Sequence, residues 1–286
     1  MSPRALALDV GRSLRPVGEV GGFAFLFLVT SLLVAAPFAL LTGQMVLGIW
    51  YILPFTVLFL VLYQRWRHRQ GLRQLGLVRH RRWSLLVIAG FGGSGLLVVL
   101  FTAVQLGEGW MHLGSVHPLL GDPGAATAGV VLALGANLGL GFGEELLFRG
   151  YVFHRLMAGY RSRWTAVGLS SLFYSAVHIP EGRHRLALLN LFLLGTVLAL
   201  AVLLTRTLWL AIGLHAGWNF WLDGVCIYDP AGLARSRMLE FRYQLADQGE
   251  LALFKLTVSV VLLLAILALA VSARRKGALT PEGTSP

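Results

Sequence analysis

Three clusters place ionisable or hydrogen-bonding side chains inside otherwise apolar stretches. The first is Glu144-Glu145-Leu146-Leu147-Phe148-Arg149. On a helix, Glu145 and Arg149 are i,i+4 neighbours and can pair. Glu144 projects about 100° away from Glu145 and stays free. A free carboxylate in a poorly solvated site suits a general base; two interfacial charges at a helix end are the plainer alternative. The second is Tyr174 and His178, one turn apart and closing the run Ser170–Val177, where an interfacial anchor is the plainer role. The third is His215 and Asn219, again i,i+4 and so facing one direction, within the apolar stretch Leu208–Leu222. A simple interhelical hydrogen-bond pair would also account for it. Helices that bring these groups to one cavity would supply a base, donors for an oxyanion, and nitrogen and oxygen ligands for a metal. Both chemistries hydrolyse amides.

The elements that must position these groups are membrane helices. Of the 286 residues 56% are hydrophobic and 13% charged, about half the charged share of a soluble domain. The apolar residues come in runs of roughly 20, long enough to span a bilayer as helices, and too long and continuous for barrel strands. The fold class expected is an all-α, polytopic transmembrane bundle of about eight helices, near 21–42, 46–63, 83–106, 126–150, 163–179, 186–205, 207–222 and 251–273. The chain is read as one membrane domain over 1–286. Within it, 21–106 holds the N-terminal helices, 125–222 the core with the three motifs, and 251–273 the last helix. The first apolar run exceeds a signal-peptide core and is read as a retained helix.

Basic residues gather in alternate connections: Arg4, Arg12 and Arg15; Arg65 to Arg82; Arg149 to Arg163; Arg206; and Arg274, Arg275 and Lys276. Placing them inside gives both termini in the cytoplasm. Arg183 and Arg185 run against that pattern. The same distribution explains the net charge of +11 without nucleic acid. A single cysteine, Cys226, excludes an internal disulfide framework. The connection 223–250 reads as a short amphipathic surface helix or a solvated loop. Gly90, Gly92, Gly93, Gly95, Gly139, Gly141 and Gly143 read mostly as close-packing positions. The fourth helix must run on to about Met157 if Glu144 and His178 are to share a site, because otherwise the two sit near opposite membrane faces.

The order and spacing of the motifs resemble the CAAX prenyl protease and bacteriocin-processing (CPBP, or Abi) family of intramembrane proteases. That family's pattern is Glu-Glu-x-x-x-Arg, then Phe-x-x-x-His, then His-x-x-x-Asn. Gly150, Ser170-Ser171 and Leu208-Trp209-Leu210 fit as well. The family's Phe falls on Tyr174, which keeps the ring and adds a hydroxyl near His178. The resemblance implies an endopeptidase acting in or beside the membrane, on prenylated C-terminal tails in eukaryotic members and on peptides, or in bacteriocin self-immunity, in bacteria. It implies that Glu144 activates water, that Glu145 with Arg149 orients it, that His178 helps hold it, and that His215 and Asn219 stabilise the oxyanion. Zinc on Glu144, His178 and His215 is chemically acceptable. The chain, however, has no His-Glu-x-x-His, and a metal-free glutamate mechanism is favoured. The partners implied are membrane lipid and a peptide or protein substrate, in some members lipid-modified. The Arg-, Ala- and Gly-rich usage with few Lys is that of a GC-rich bacterium, which places the chain in the plasma membrane.

Two other readings compete. Gly92-Gly93-Ser94-Gly95 has the look of a rhomboid serine site, but leaves the Glu-Glu pair unexplained. The same polar cavity would also serve a non-enzymatic transporter or scaffold, although no internal repeat marks a transporter fold.

Overall fold

A computed structural model describes residues 14–31, 33, 48–78, 81–116, 123–179, 185–228, 239–243, 258–259, 262–263 and 265–267. Its helices are α1 (Leu14–Ser31), α2 (Gly48–Tyr63), α3 (Trp83–Gly107), α4 (Pro123–Glu145), α5 (His154–Gly159), α6 (Arg163–Ala176), α7 (Arg185–Thr205) and α8 (Trp209–Asn219). Of the last helix expected from sequence, the few described residues between 258 and 267 are helical. Four stretches among the described residues are long and apolar enough to cross a membrane: Leu14–Ser31, Trp83–Gly107, Thr127–Gly159 and Ala187–Thr205. The chain is a multi-pass membrane protein.

Three departures from the sequence reading stand out. The first helix is already formed at Leu14, seven residues before the apolar run, and its charged turns are held: Glu19 pairs with Arg15 at 3.5 Å and with Arg155 beyond α4. The part of that reading from 34 to 42 lies outside the described residues. Secondly, the connections around 107–125 and 223–250 contribute a small three-stranded sheet rather than a surface helix or plain loops. β1 (Met111–Val116) pairs antiparallel with β3 (Leu239–Tyr243), and β2 (Cys226–Tyr228) lies parallel on the other side of β3. Thirdly, Gly92 and Gly93 are not packing positions, since a side chain at either would meet nothing within 4 Å.

As the shared-site reading requires, α4 does not stop near residue 150. The helix continues through a π-helical segment, Leu146–Phe153, into α5, giving 33 residues from Thr127 to Gly159. At about 1.5 Å per residue that is roughly 50 Å, well beyond the ~30 Å of a bilayer core. The widened i→i+5 turn leaves local carbonyls to be satisfied from elsewhere. The Arg149 carbonyl accepts a hydrogen bond from the His154 ring at 2.6 Å.

Helix α8 sits against α3 and α4. Gly90 of α3 lies so close to the backbone of α8 that an added Cβ would come within 2.6 Å of the Leu214 nitrogen. Gly141 of α4 touches Ala216 in the same way, at 2.9 Å. The approach is closed by a hydrogen bond from Ser94 Oγ to the Leu214 carbonyl, 2.7 Å. Helices α3 and α8 run parallel, as alternate crossings demand. Trp83 and Trp209 begin the two helices with their rings 5.3 Å apart, and the Trp209 indole donates to the Val78 carbonyl. Ser94 is thus a packing residue, which removes the reason for the rhomboid reading.

Candidate active site

The site forms where the end of α4, the later part of α6 and the middle of α8 converge. His215 lies six residues into α8, about 9 Å from its start by helical rise. Glu145 is fully buried and Arg149 is 1% exposed; their ion pair is 2.7 Å long. Removing two charges from water is costly unless each is paired and hydrogen-bonded. Here Arg149 makes a second bond to the Gly195 carbonyl of α7 at 3.2 Å, and its guanidinium lies 4.4 Å from the centre of the Tyr174 ring.

Glu145 has another partner. His215 Nδ1 is 2.8 Å from Glu145 Oε1. A carboxylate paired with arginine is acceptor-only, so Nδ1 carries the proton and donates. That bond fixes the ring and turns Nε2 toward Glu144 Oε2, 3.7 Å away, and toward the Tyr174 hydroxyl, 3.5 Å away. Glu144 is placed differently from its neighbour: its side chain is 23% exposed, where that of Glu145 is fully buried, although each keeps an enclosed Oε2 with no hydrogen-bond partner among the described residues. An enclosed carboxylate oxygen without a donor is uncommon in a native fold.

The motif segment also matches a known family. Residues 125–221 match the model described as type II CAAX prenyl endopeptidase Rce1-like. This stretch is an Rce1-like domain. Membrane protease activity is the general activity this family supports, with a membrane environment and a peptide substrate. Comparison with curated proteins and with solved structures gives no significant match.

All six motif residues fall inside the Rce1-like domain. The structure joins Glu144, Glu145, Arg149 and His215 directly. His178 sits in the turn after α6 and joins through Tyr174: its Nδ1 donates to the Tyr174 carbonyl at 2.8 Å, and the two rings meet edge-to-face at 5.0 Å. Asn219 is half-buried at the end of α8, one turn beyond His215. A further π-helical segment, Phe220–Val225, follows it at once. Glu144, His178 and His215 do not gather as a zinc site; among the described residues no three His, Cys, Asp or Glu side chains do so. The Tyr174 hydroxyl faces His215 Nε2.

One contributor was not singled out from sequence. Gly195 supplies the carbonyl that holds Arg149, and the only hint was an isolated glycine within the apolar run of α7. It also lets α7 approach α6, since a Cβ there would stand 3.1 Å from the Ser171 Cα. Ser171 in turn accepts a hydrogen bond from Thr196 at 3.1 Å.

Proposed function

We propose that the chain is an intramembrane endopeptidase in which Glu144 is the general base. The observation that carries this is the asymmetry of the two glutamates: Glu145, fully buried, is held through Oε1 by Arg149 and His215, while Glu144 is 23% exposed and among the described residues meets only the His215 ring, at 3.7 Å. Glu144 takes a proton from a water molecule, the hydroxide oxygen attacks the scissile carbonyl carbon, and an oxyanion forms. Collapse of that intermediate breaks the C–N bond as Glu144 returns the proton to the leaving nitrogen. Asn219 and His215 Nε2 stabilise the oxyanion. To donate there, His215 must carry protons on both nitrogens. Full burial keeps Glu145 and Arg149 from touching water or substrate, so they act by orienting His215. His178 helps hold the water at the mouth of the site.

The mechanism is of the glutamate type and needs no metal. The substrate is a peptide or protein at the membrane surface, lipid-modified in the manner of the family's description, and the compartment is the plasma membrane of a bacterium. Cleavage of a quenched, lipid-modified peptide by the purified protein tests the reading. Cleavage that persists in a strong zinc chelator supports it. Loss with chelator and recovery with zinc overturns the metal-free mechanism. No cleavage of any peptide in a panel moves the cavity to transport or scaffolding.

A further inference from the structure

Away from the Glu144–His215 cluster, a cleft of about 590 Å³ opens between α1, the end of α2 and the α4 extension. One stripe of α1 lines it: Arg15, Gly18, Glu19, Gly22, Phe25 and Leu26. These recur every three or four residues, so they share one face. An adjoining face of α1 is fixed to the bundle, with Phe23 stacked on Tyr151 at 3.9 Å between ring centres. The stripe changes character along its length. Its first turn is charged, its middle is bare backbone at Gly18 and Gly22, where an added Cβ would meet nothing within 4 Å, and its far end is Phe25 and Leu26, exposed at 65% and 38%. Across the cleft stand Trp66, Arg67 and His68.

The charges do not cancel. Glu19 is already held by Arg155 and Arg15, and among the described residues Arg67 has no ion-pair partner. Burial, with Arg155 and Arg67 nearby, keeps His68 below the usual histidine range. At neutral pH the ring is therefore uncharged, and its Nε2 lies 3.3 Å from the Tyr151 hydroxyl. Three arginines against one carboxylate leave an excess of two positive charges. They lie where Trp66, 73% exposed, marks the depth at which aromatic rings favour the membrane interface.

We propose that this cleft binds one phospholipid with an anionic headgroup, its phosphate between Arg15 and Arg67 and an acyl chain along Gly22, Phe25 and Leu26. The glycines leave the floor open for a chain, and the graded stripe matches an amphiphile lying along the helix. The occupant is a lipid rather than free phosphate because half the lining is apolar and faces the bilayer. The proposal is independent of the protease reading, and its test needs no activity.

The test is native mass spectrometry and thermal unfolding of the full chain released from phosphatidylcholine membranes with or without phosphatidylglycerol. The wild type should retain phosphatidylglycerol in preference to phosphatidylcholine and unfold at a higher temperature with it. An arginine near an anionic headgroup contributes about fivefold in affinity, so the R15A/R67A double variant should retain it roughly 25-fold less. Gly22→Leu fills the floor without touching the fold or the charges, and should lose retention while unfolding normally without lipid. Equal retention by wild type and both variants would overturn the proposal. So would equal retention of phosphatidylcholine, or displacement of the lipid by inorganic phosphate that itself raises the unfolding temperature.

Discussion

His215 donates from Nδ1 to Glu145 Oε1 at 2.8 Å, across 70 residues of sequence. The same oxygen holds Arg149 at 2.7 Å. One buried carboxylate thus locks a cation on its own helix and an imidazole on another. Its contribution is to stability first and to catalysis only through the ring it orients. Breaking a buried pair by removing one partner costs about 3–5 kcal/mol, so Glu145→Gln should unfold many degrees lower than wild type in detergent. Glu144→Gln should unfold close to wild type. Similar unfolding temperatures for the two variants would contradict the division of roles.

Tyr174 combines two functions that substitution can separate. Its ring, 2% exposed, covers the Arg149 guanidinium and meets His178. Its hydroxyl faces His215 Nε2 at 3.5 Å, a long contact. Tyr174→Phe should preserve the unfolding temperature and lower kcat by no more than about tenfold, the worth of one modest hydrogen bond. Tyr174→Ala should destabilise by about 3 kcal/mol or more, as loss of a buried aromatic does. A fully inactive but stable Tyr174→Phe would give the hydroxyl a direct chemical role.

The contact of α3 with α8 predicts a contrast between glycines two residues apart. Gly90→Val puts side-chain atoms into the α8 backbone and should destabilise by about 1–3 kcal/mol or more; activity should fall with it. Gly92→Val points into open space and should leave both unfolding temperature and activity near wild type. Equal behaviour would mean that α3 and α8 do not pack in the register described.

Much of this arrangement was legible in the sequence, and the losses have physical causes. Local spacing found the Glu145–Arg149 pair, because i,i+4 neighbours meet on any helix. It did not find His215 as the second partner of Glu145, because that contact depends on how α4 and α8 cross. The early start of α1 was hidden because Arg15 and Glu19 look unsuited to a span. They are tolerated through Arg155, 136 residues away from Glu19. The strand Leu239–Tyr243 needs a partner at Met111–Val116, and nothing local announces it. The extension of α4, by contrast, followed from the sequence alone, since two motifs of one site cannot sit at opposite faces of the membrane.

Asn219 supplies the neutral donor of the proposed oxyanion site. Removing one such donor lowers kcat by about 10²–10³, so Asn219→Ala should lose that much in kcat with KM changed little. Asn219→Asp, which replaces the donor by an acceptor, should be at least as poor. A variant with normal kcat and raised KM would place Asn219 in substrate binding.

The most direct test of the central claim is the single-turnover rate of peptide cleavage by Glu144→Gln beside wild type, at matched folding and with product masses determined. Glutamine fills the same space and cannot take the proton. The proposed mechanism predicts a rate lower by a factor of about 10²–10⁴, the usual worth of a general base, with an unchanged cleavage position in whatever product remains. A Glu144→Gln variant that cleaves at the wild-type rate would contradict it.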